Sequence, residues 1–249
     1  MIAVAERING MFLDVKKAIQ KKDPGAIVDL AQRQTEQGAK YLDINVGTAA
    51  EDQQAAMRWL VETVQGAVKT PIALDSQKLP VIKAGLEVCD GRDVMINSVS
   101  GDDEKLDVYM PLAVEHKAAL VCLTMTKEGV PQNVETRVEI AMTIVQKAME
   151  HGMDLSKVYI DPIILPVKVP GAQQQPGHIL AALDQIRILA DPPPHITIGL
   201  SNLSQGTTER SLINRTFLAM AVSHGLDSAI VDVLDEKLMN VLATAEMLL

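Results

Sequence analysis

Short apolar runs recur along the chain, and each is followed by a stretch with helical spacing. The runs fall at residues 2–9, 41–47, 71–76, 93–98, 118–125, 158–165, 195–202 and 228–235. Each has the length and branched-aliphatic content of a parallel strand buried on both faces. Between them, Ile27, Leu30, Ala31 and Gln34 share a helical face, as do Leu106, Met110, Ala113 and Val114. Val138, Ala141, Met142 and Val145 form another such stripe. Thr48 and Glu51 have the spacing of a capping box after the second run, and Asn133 and Asp235 stand where helix caps belong.

Strict alternation of strand and helix predicts a parallel sheet with right-handed crossovers. Eight units point to closure as an α/β, (β/α)₈ barrel of the TIM type, with an open doubly wound sheet as the alternative. No break in composition marks a second domain, so residues 1–249 are expected to form one. The longest irregular connection, residues 166–176, follows the sixth run and is rich in Pro, Gly and Gln. In a barrel it would overhang the mouth as a lid or clamp.

Composition narrows the function classes. Aromatic residues make up 2% of the chain, so aliphatic side chains and Met must fill the core. The formal charge of -9 offers no basic face for nucleic acid. No apolar run approaches the ~20 residues of a membrane span. The first residues lack the charged segment and apolar run of a signal peptide, which makes a cytoplasmic setting the expectation. Cys89 and Cys122 form neither a disulfide framework nor a metal-ligand spacing. The five histidines make no HxH or HExxH pair, and no two glycines have GxG spacing. A metal site, a Rossmann fingerprint and a P-loop are therefore not expected.

Polar residues gather at the ends of the apolar runs. Asp43 and Asn45 end the second, Asp75 and Ser76 the third, and Asn97 and Ser98 the fourth. Asp161 lies in the sixth, Ser201 and Asn202 end the seventh, and Asp232 and Asp235 fall in the eighth. Taken singly, each reads equally well as a helix cap or a barrel support. In a closed barrel all eight ends meet at one face, which carries the chemistry. Acids and amides without a nucleophile or metal suit a flat, uncharged heterocycle. A 2-amino-4-oxo-pyrimidine edge offers an N–H beside an NH₂, and one carboxylate accepts both. A pterin and a guanine-like base both fit, and spacing does not choose between them.

The segments Glu6-Arg7-Ile8-Asn9-Gly10, Leu42-Asp43-Ile44-Asn45-Val46-Gly47, Leu74-Asp75-Ser76 and Met95-Ile96-Asn97-Ser98 carry a resemblance. So do Tyr159-Ile160-Asp161-Pro162, Gly199-Leu200-Ser201-Asn202 and Leu212-Ile213-Asn214-Arg215-Thr216-Phe217. In this order, along essentially the whole chain, they resemble the methyltetrahydrofolate:corrinoid/iron-sulfur protein methyltransferases. That family lies in the pterin-binding barrel superfamily, with dihydropteroate synthase and the folate domain of cobalamin-dependent methionine synthase.

The resemblance implies that Asp75, Asn97 and Asp161 contact the pterin and that Asn202 is the catalytic amide. Gln205 and Arg210 would line the same pocket, and Gly199 would permit close approach to the ring. Tetrahydrofolate and 5-methyltetrahydrofolate are the implied substrates. A corrinoid (cobalamin) would arrive on a partner, either a corrinoid/iron-sulfur protein or the corrinoid protein of an O-demethylase system. This chain has no DxHxxG segment or cysteine cluster to hold a corrinoid or an iron–sulfur centre itself. A homodimer is implied as well. Two rivals remain: a dihydropteroate synthase-like condensation and a non-catalytic folate-binding subunit. The synthases carry a Lys in the pterin site and an Arg-x-His segment at the last strand, and neither stands here.

Overall fold

A computed structural model describes residues 1–249. Eight parallel strands form one sheet: β1 Ile2–Asn9, β2 Tyr41–Asn45, β3 Ile72–Asp75, β4 Val94–Ser100, β5 Ala119–Leu123, β6 Val158–Asp161, β7 His195–Ile196 and β8 Ser228–Val231. The helices are α1 Leu13–Lys21, α2 Gly25–Glu36, α3 Gln53–Ala67, α4 Leu79–Leu86, α5 Asp103–Glu115, α6 Val134–Glu150, α7 Gln175–Ile186, α8 Leu200–Leu203, α9 Arg210–Ser223 and α10 Glu236–Leu248.

The strands follow chain order from β7 back to β1, and β1 then pairs with β8. Closure comes from the Ile230 N–H, which donates to the Ile198 carbonyl at 2.8 Å, and from a parallel bridge between Gly199 and Ile230. The Asp227 carboxylate reinforces the seam below, accepting from the Ile196 N–H at 2.8 Å and lying 2.6 Å from His195 Nδ1. The fold is a (β/α)₈ barrel, and the open-sheet alternative fails because the edge strands meet.

Strand alternation divides the core in two. One row, with Leu42, Ile44, Ile72, Leu74, Ile96, Leu120 and Ile160, packs against the helices in a cluster of 62 buried residues. Burying each such aliphatic side chain is worth roughly 1.5–3 kcal/mol, so register is firmly set. The other row points into the barrel, where Val4, Ala73, Met95, Ala119, Val121 and Tyr159 form a separate cluster of 6. The His195 ring stacks on Tyr159 at 4.6 Å between centroids at the base.

Three local expectations need correction. The seventh run, expected to be extended over 195–202, is a strand only over His195–Ile196. Leu200–Leu203 instead turns as a short helix behind Gly199, so Asn202 sits on a helical turn. Thr48 and Glu51 form no capping box; Asp52 caps α3 by accepting from the Ala55 N–H. Val114 and Met142 stand outside the core at 42% and 46% exposure, because each helical stripe is narrower than the apolar pattern suggests. Asn133 caps α6 and Asp235 caps α10, each through its side-chain oxygen. Ile27, Leu30, Ala31 and Gln34 are all buried. No helix is long and apolar enough to cross a membrane.

Candidate active site at the barrel mouth

The inward row that holds Val4, Ala73, Met95 and Tyr159 continues two residues further along each strand. It therefore places Glu6, Asp75, Asn97 and Asp161 in the barrel above that apolar plug. Tyr41 leads in the same way to Asp43 and Asn45. Register puts Asn45, Asp75 and Asn97 side by side, and Asp161 beside Leu123. Residues far apart in sequence thus form one polar layer at the strand C-termini.

Hydrogen bonds tie that layer together. Asn97 Nδ2 donates to Asp43 Oδ1 at 3.0 Å, and Asn45 Nδ2 donates to Asp75 Oδ2 at 2.5 Å. Asn45 Oδ1 in turn accepts from the Gly47 N–H at 2.6 Å, which fixes the amide's orientation. Asp161 Oδ1 accepts from the Ile163 N–H at 2.7 Å. Asp43, Asn97 and Asp161 are 2%, 7% and 7% exposed, so water does not satisfy them freely.

Burial raises the acids. Asp161 is pushed up to about 7, opposed only by the Ile163 N–H. Asp75 is pushed up to about 6, with the Asn45 amide and Asp43 pulling the other way. Asp43 rises further, first by burial and then by the charge of Asp75. Two carboxyls sharing a dry site disfavour each other's ionised form, which is why Asp75 adds to the rise in Asp43.

The rim is different in character. Asn202, Gln205 and Arg210 are all exposed. The Asn202 N–H closes the helical turn onto the Gly199 carbonyl at 3.2 Å, which leaves its side-chain amide for other partners. A Cβ on residue 199 would lie 2.9 Å from Asn202 Nδ2. Within the protein, the space that glycine frees at position 199 is thus filled by the Asn202 amide. Arg210 Nε reaches Ser204 Oγ and its Nη2 reaches the Ser201 carbonyl, both at 3.3 Å. It is more than a solvated first-turn residue, since it braces the turn that carries Asn202. Segment 166–176 lies against the same region: the Val167 N–H donates to the Leu203 carbonyl, and Lys168 Nζ to the Gly206 carbonyl.

One inward-row group, Glu6, escaped the sequence reading as a site residue. Glu6 accepts from Ser201 Oγ at 2.6 Å, and burial raises its carboxyl. The Ser201 hydrogen bond and the charges of Arg210 and Arg7 oppose that rise, and the charge of Asp232 adds to it. The available signal was an acid two residues beyond Val4 on the barrel side of an apolar strand. A cavity of about 250 Å³ opens against Asp75, lined also by Asn45, Gln53, Ser76 and Lys78.

Comparison with known proteins places the chain in a family. The family model described as pterin binding enzyme matches residues 14–232. A methylcorrinoid:tetrahydrofolate methyltransferase of Eubacterium limosum is 35% identical, over 100% of this chain and 91% of its own. Methionine synthase of Mycobacterium tuberculosis is 32% identical over 93% of this chain, which spans only 20% of that protein. Among solved structures, the dihydropteroate synthase of Clostridium difficile has a TM-score of 0.73 at 16% identity, covering 100% of this chain and 96% of its own. That of Thermus thermophilus reaches 0.71 at 17% identity, covering 100% and 94%. At such identities the synthases share the fold alone. The chain belongs to the pterin-binding enzyme family.

Proposed function

We propose that the protein moves the N5-methyl group between 5-methyltetrahydrofolate and the cobalt of a corrinoid carried by a partner protein. The observation that carries this reading is the pairing of a buried acid–amide floor with an exposed, uncommitted amide, Asn202, at its rim. The full-length likeness to the Eubacterium limosum enzyme supports it.

In this reading Asp75, Asn97 and Asp161 hold the pyrimidine edge of the pterin. An ionised carboxylate accepts from two adjacent donors, and the Asn97 amide matches the remaining edge. Gly199, Gln205 and Arg210 shape the wall near the reacting nitrogen. A tertiary amine carrying a methyl group is a poor electrophile, so its nitrogen must be polarised as the methyl departs. Asn202 supplies a hydrogen bond at N5 that strengthens as charge shifts there, which is the condition for catalysis. The partner's corrinoid supplies the nucleophilic metal. The carrier belongs to either a corrinoid/iron-sulfur or an O-demethylase system. The enzyme is proposed to be a cytoplasmic homodimer.

Mixing the protein with 5-methyltetrahydrofolate and reduced cob(I)alamin tests this, with methylcobalamin followed by absorbance. Protein-dependent conversion is expected. No conversion, with p-aminobenzoate-dependent consumption of a dihydropterin pyrophosphate, would move the chain to the synthase reaction.

A further inference from the structure

Arg137 on α6 is fully buried, at 0% exposure, and no carboxylate pairs with it. Its partners are all neutral acceptors. Nε donates to the Pro162 carbonyl at 2.9 Å, Nη1 to the Asn133 carbonyl at 3.0 Å, and Nη2 to Gln175 Oε1. Burying an unpaired guanidinium is costly, so a local need for it is expected.

That need lies in one peptide unit. The Pro162 carbonyl and the Ile163 N–H belong to the same planar amide. Arg137 holds its oxygen, and its N–H donates to Asp161 Oδ1 at 2.7 Å. Ile163 has φ +56°, a left-handed conformation that a β-branched residue adopts only under constraint. A free peptide would relax by turning, and Asp161 would lose its donor. A charge on the carbonyl also polarises the amide and strengthens its N–H as a donor.

We infer that Arg137 is a positioning residue for Asp161, acting through the Pro162–Ile163 peptide. The inference rests on the reading of Asp161 as a pterin contact only for its effect on folate, not for its effect on Asp161. The surroundings of Asp161 leave few other controls. Its register partner on β5 is Leu123, Thr124 donates its N–H to the Asp161 carbonyl, and β7 presents Ile196 and Thr197 to the strand. None of these is titratable. Asp43 and Asp75, the other acids of the floor, do not add to the rise in Asp161, and Arg137 reaches this loop from α6 at the Pro162 carbonyl.

The test follows the Asp161 carboxyl by NMR in the ligand-free protein carrying ¹³C-labelled aspartate, with the signal assigned by Asp161→Asn. Losing the Ile163 bond removes the one influence that lowers this carboxyl. Arg137→Met is expected to move its midpoint up by about one pH unit. Gln175→Met removes another partner of the guanidinium but leaves the Pro162 carbonyl held, so the midpoint stays in place. Adding Ile163→Gly to Arg137→Met lets the backbone keep its positive φ without strain, and the midpoint returns toward wild type. Tetrahydrofolate affinity at pH 7 falls about fivefold in Arg137→Met and recovers in the double variant. Equal shifts in Arg137→Met and Gln175→Met, or no shift in either, would overturn the inference. Should Arg137→Met not fold, Arg137→Gln is too short to span to Pro162 and is read in the same way. If wild type binds no tetrahydrofolate, the functional reading fails, while the carboxyl titration still decides the role of Arg137.

Discussion

Ser201 Oγ donates to Glu6 Oε1 at 2.6 Å, joining the first strand to the turn that carries Asn202 across 195 positions of sequence. The bond anchors one side of that turn, and Arg210 anchors the other through the Ser201 carbonyl. Ser201→Ala removes the tether without touching Asp75, Asn97 or Asp161. We expect kcat to fall about tenfold with the folate KM little changed, as for loss of one charge-assisted hydrogen bond. Steady-state methyl transfer to free cob(I)alamin reads this directly, and a change confined to KM would contradict it.

Asn202→Ala removes the rim amide itself. Loss of a preorganised donor at a reacting centre costs about 10²–10³ in rate. Folate binding, measured by calorimetry, should change by no more than a few fold. A variant that loses binding and turnover together would place Asn202 in the ground-state contacts instead.

Gly199→Ala adds a Cβ 2.9 Å from Asn202 Nδ2 and must displace the amide. Because small misplacements of reacting groups are expensive, kcat should drop by roughly tenfold or more while folate still binds. Wild-type turnover in this variant would show that the position of the Asn202 amide is not critical.

Asp161 gives a pH dependence of defined sign. Its carboxyl is pushed up to about 7 by burial, and in the proposed binding mode pterin donors favour the ionised form. Tetrahydrofolate affinity should therefore weaken as pH falls through about 7, and binding near that pH should release protons. Stability runs the opposite way. A raised carboxyl makes the folded state bind more protons than the unfolded one, so stability is full below the ordinary carboxylate range and declines as pH rises toward 7. Asp161→Asn should raise Tm by roughly 3–6 °C at pH 7.5, while abolishing folate binding. An unchanged or lower Tm at that pH would contradict the burial of an ionisable group there.

How much of this was legible in the sequence depends on the element. All eight strands stood out because branched aliphatic runs have few alternatives in a chain with 2% aromatics. Their ends were less exact: Asn45, Asp75, Asn97 and Asp161 still pair within the sheet, whereas residues 46–47, 162–165 and 197–202 leave it. Asn202 is the clearest case: the apolar run suggested strand up to it, but the chain turns helical behind Gly199. That Asp43, Asn45, Asp75, Asn97 and Asp161 gather at one end of the barrel was legible as a set, because the strand ends of a closed barrel meet at one face. Glu6 escaped because a lone acid in a strand also reads as an outward face. Arg137 escaped for a similar reason, although it shares a helical face with Ala141 and Ile144, both fully buried. Neither the 2.6 Å pairing of Glu6 with Ser201 nor the clamp on the Pro162–Ile163 peptide is visible without the fold.

In the proposed reaction this barrel moves a methyl group off folate N5 with the help of Asn202. ¹³C-methyl-labelled 5-methyltetrahydrofolate, incubated with cob(I)alamin and followed by NMR, tests it most directly. Label is expected to leave N5 and appear on cobalt with the wild-type protein, and to move roughly 10²–10³ times more slowly with Asn202→Ala. Label that stays on N5 with wild type, or moves equally fast with both proteins, would contradict it.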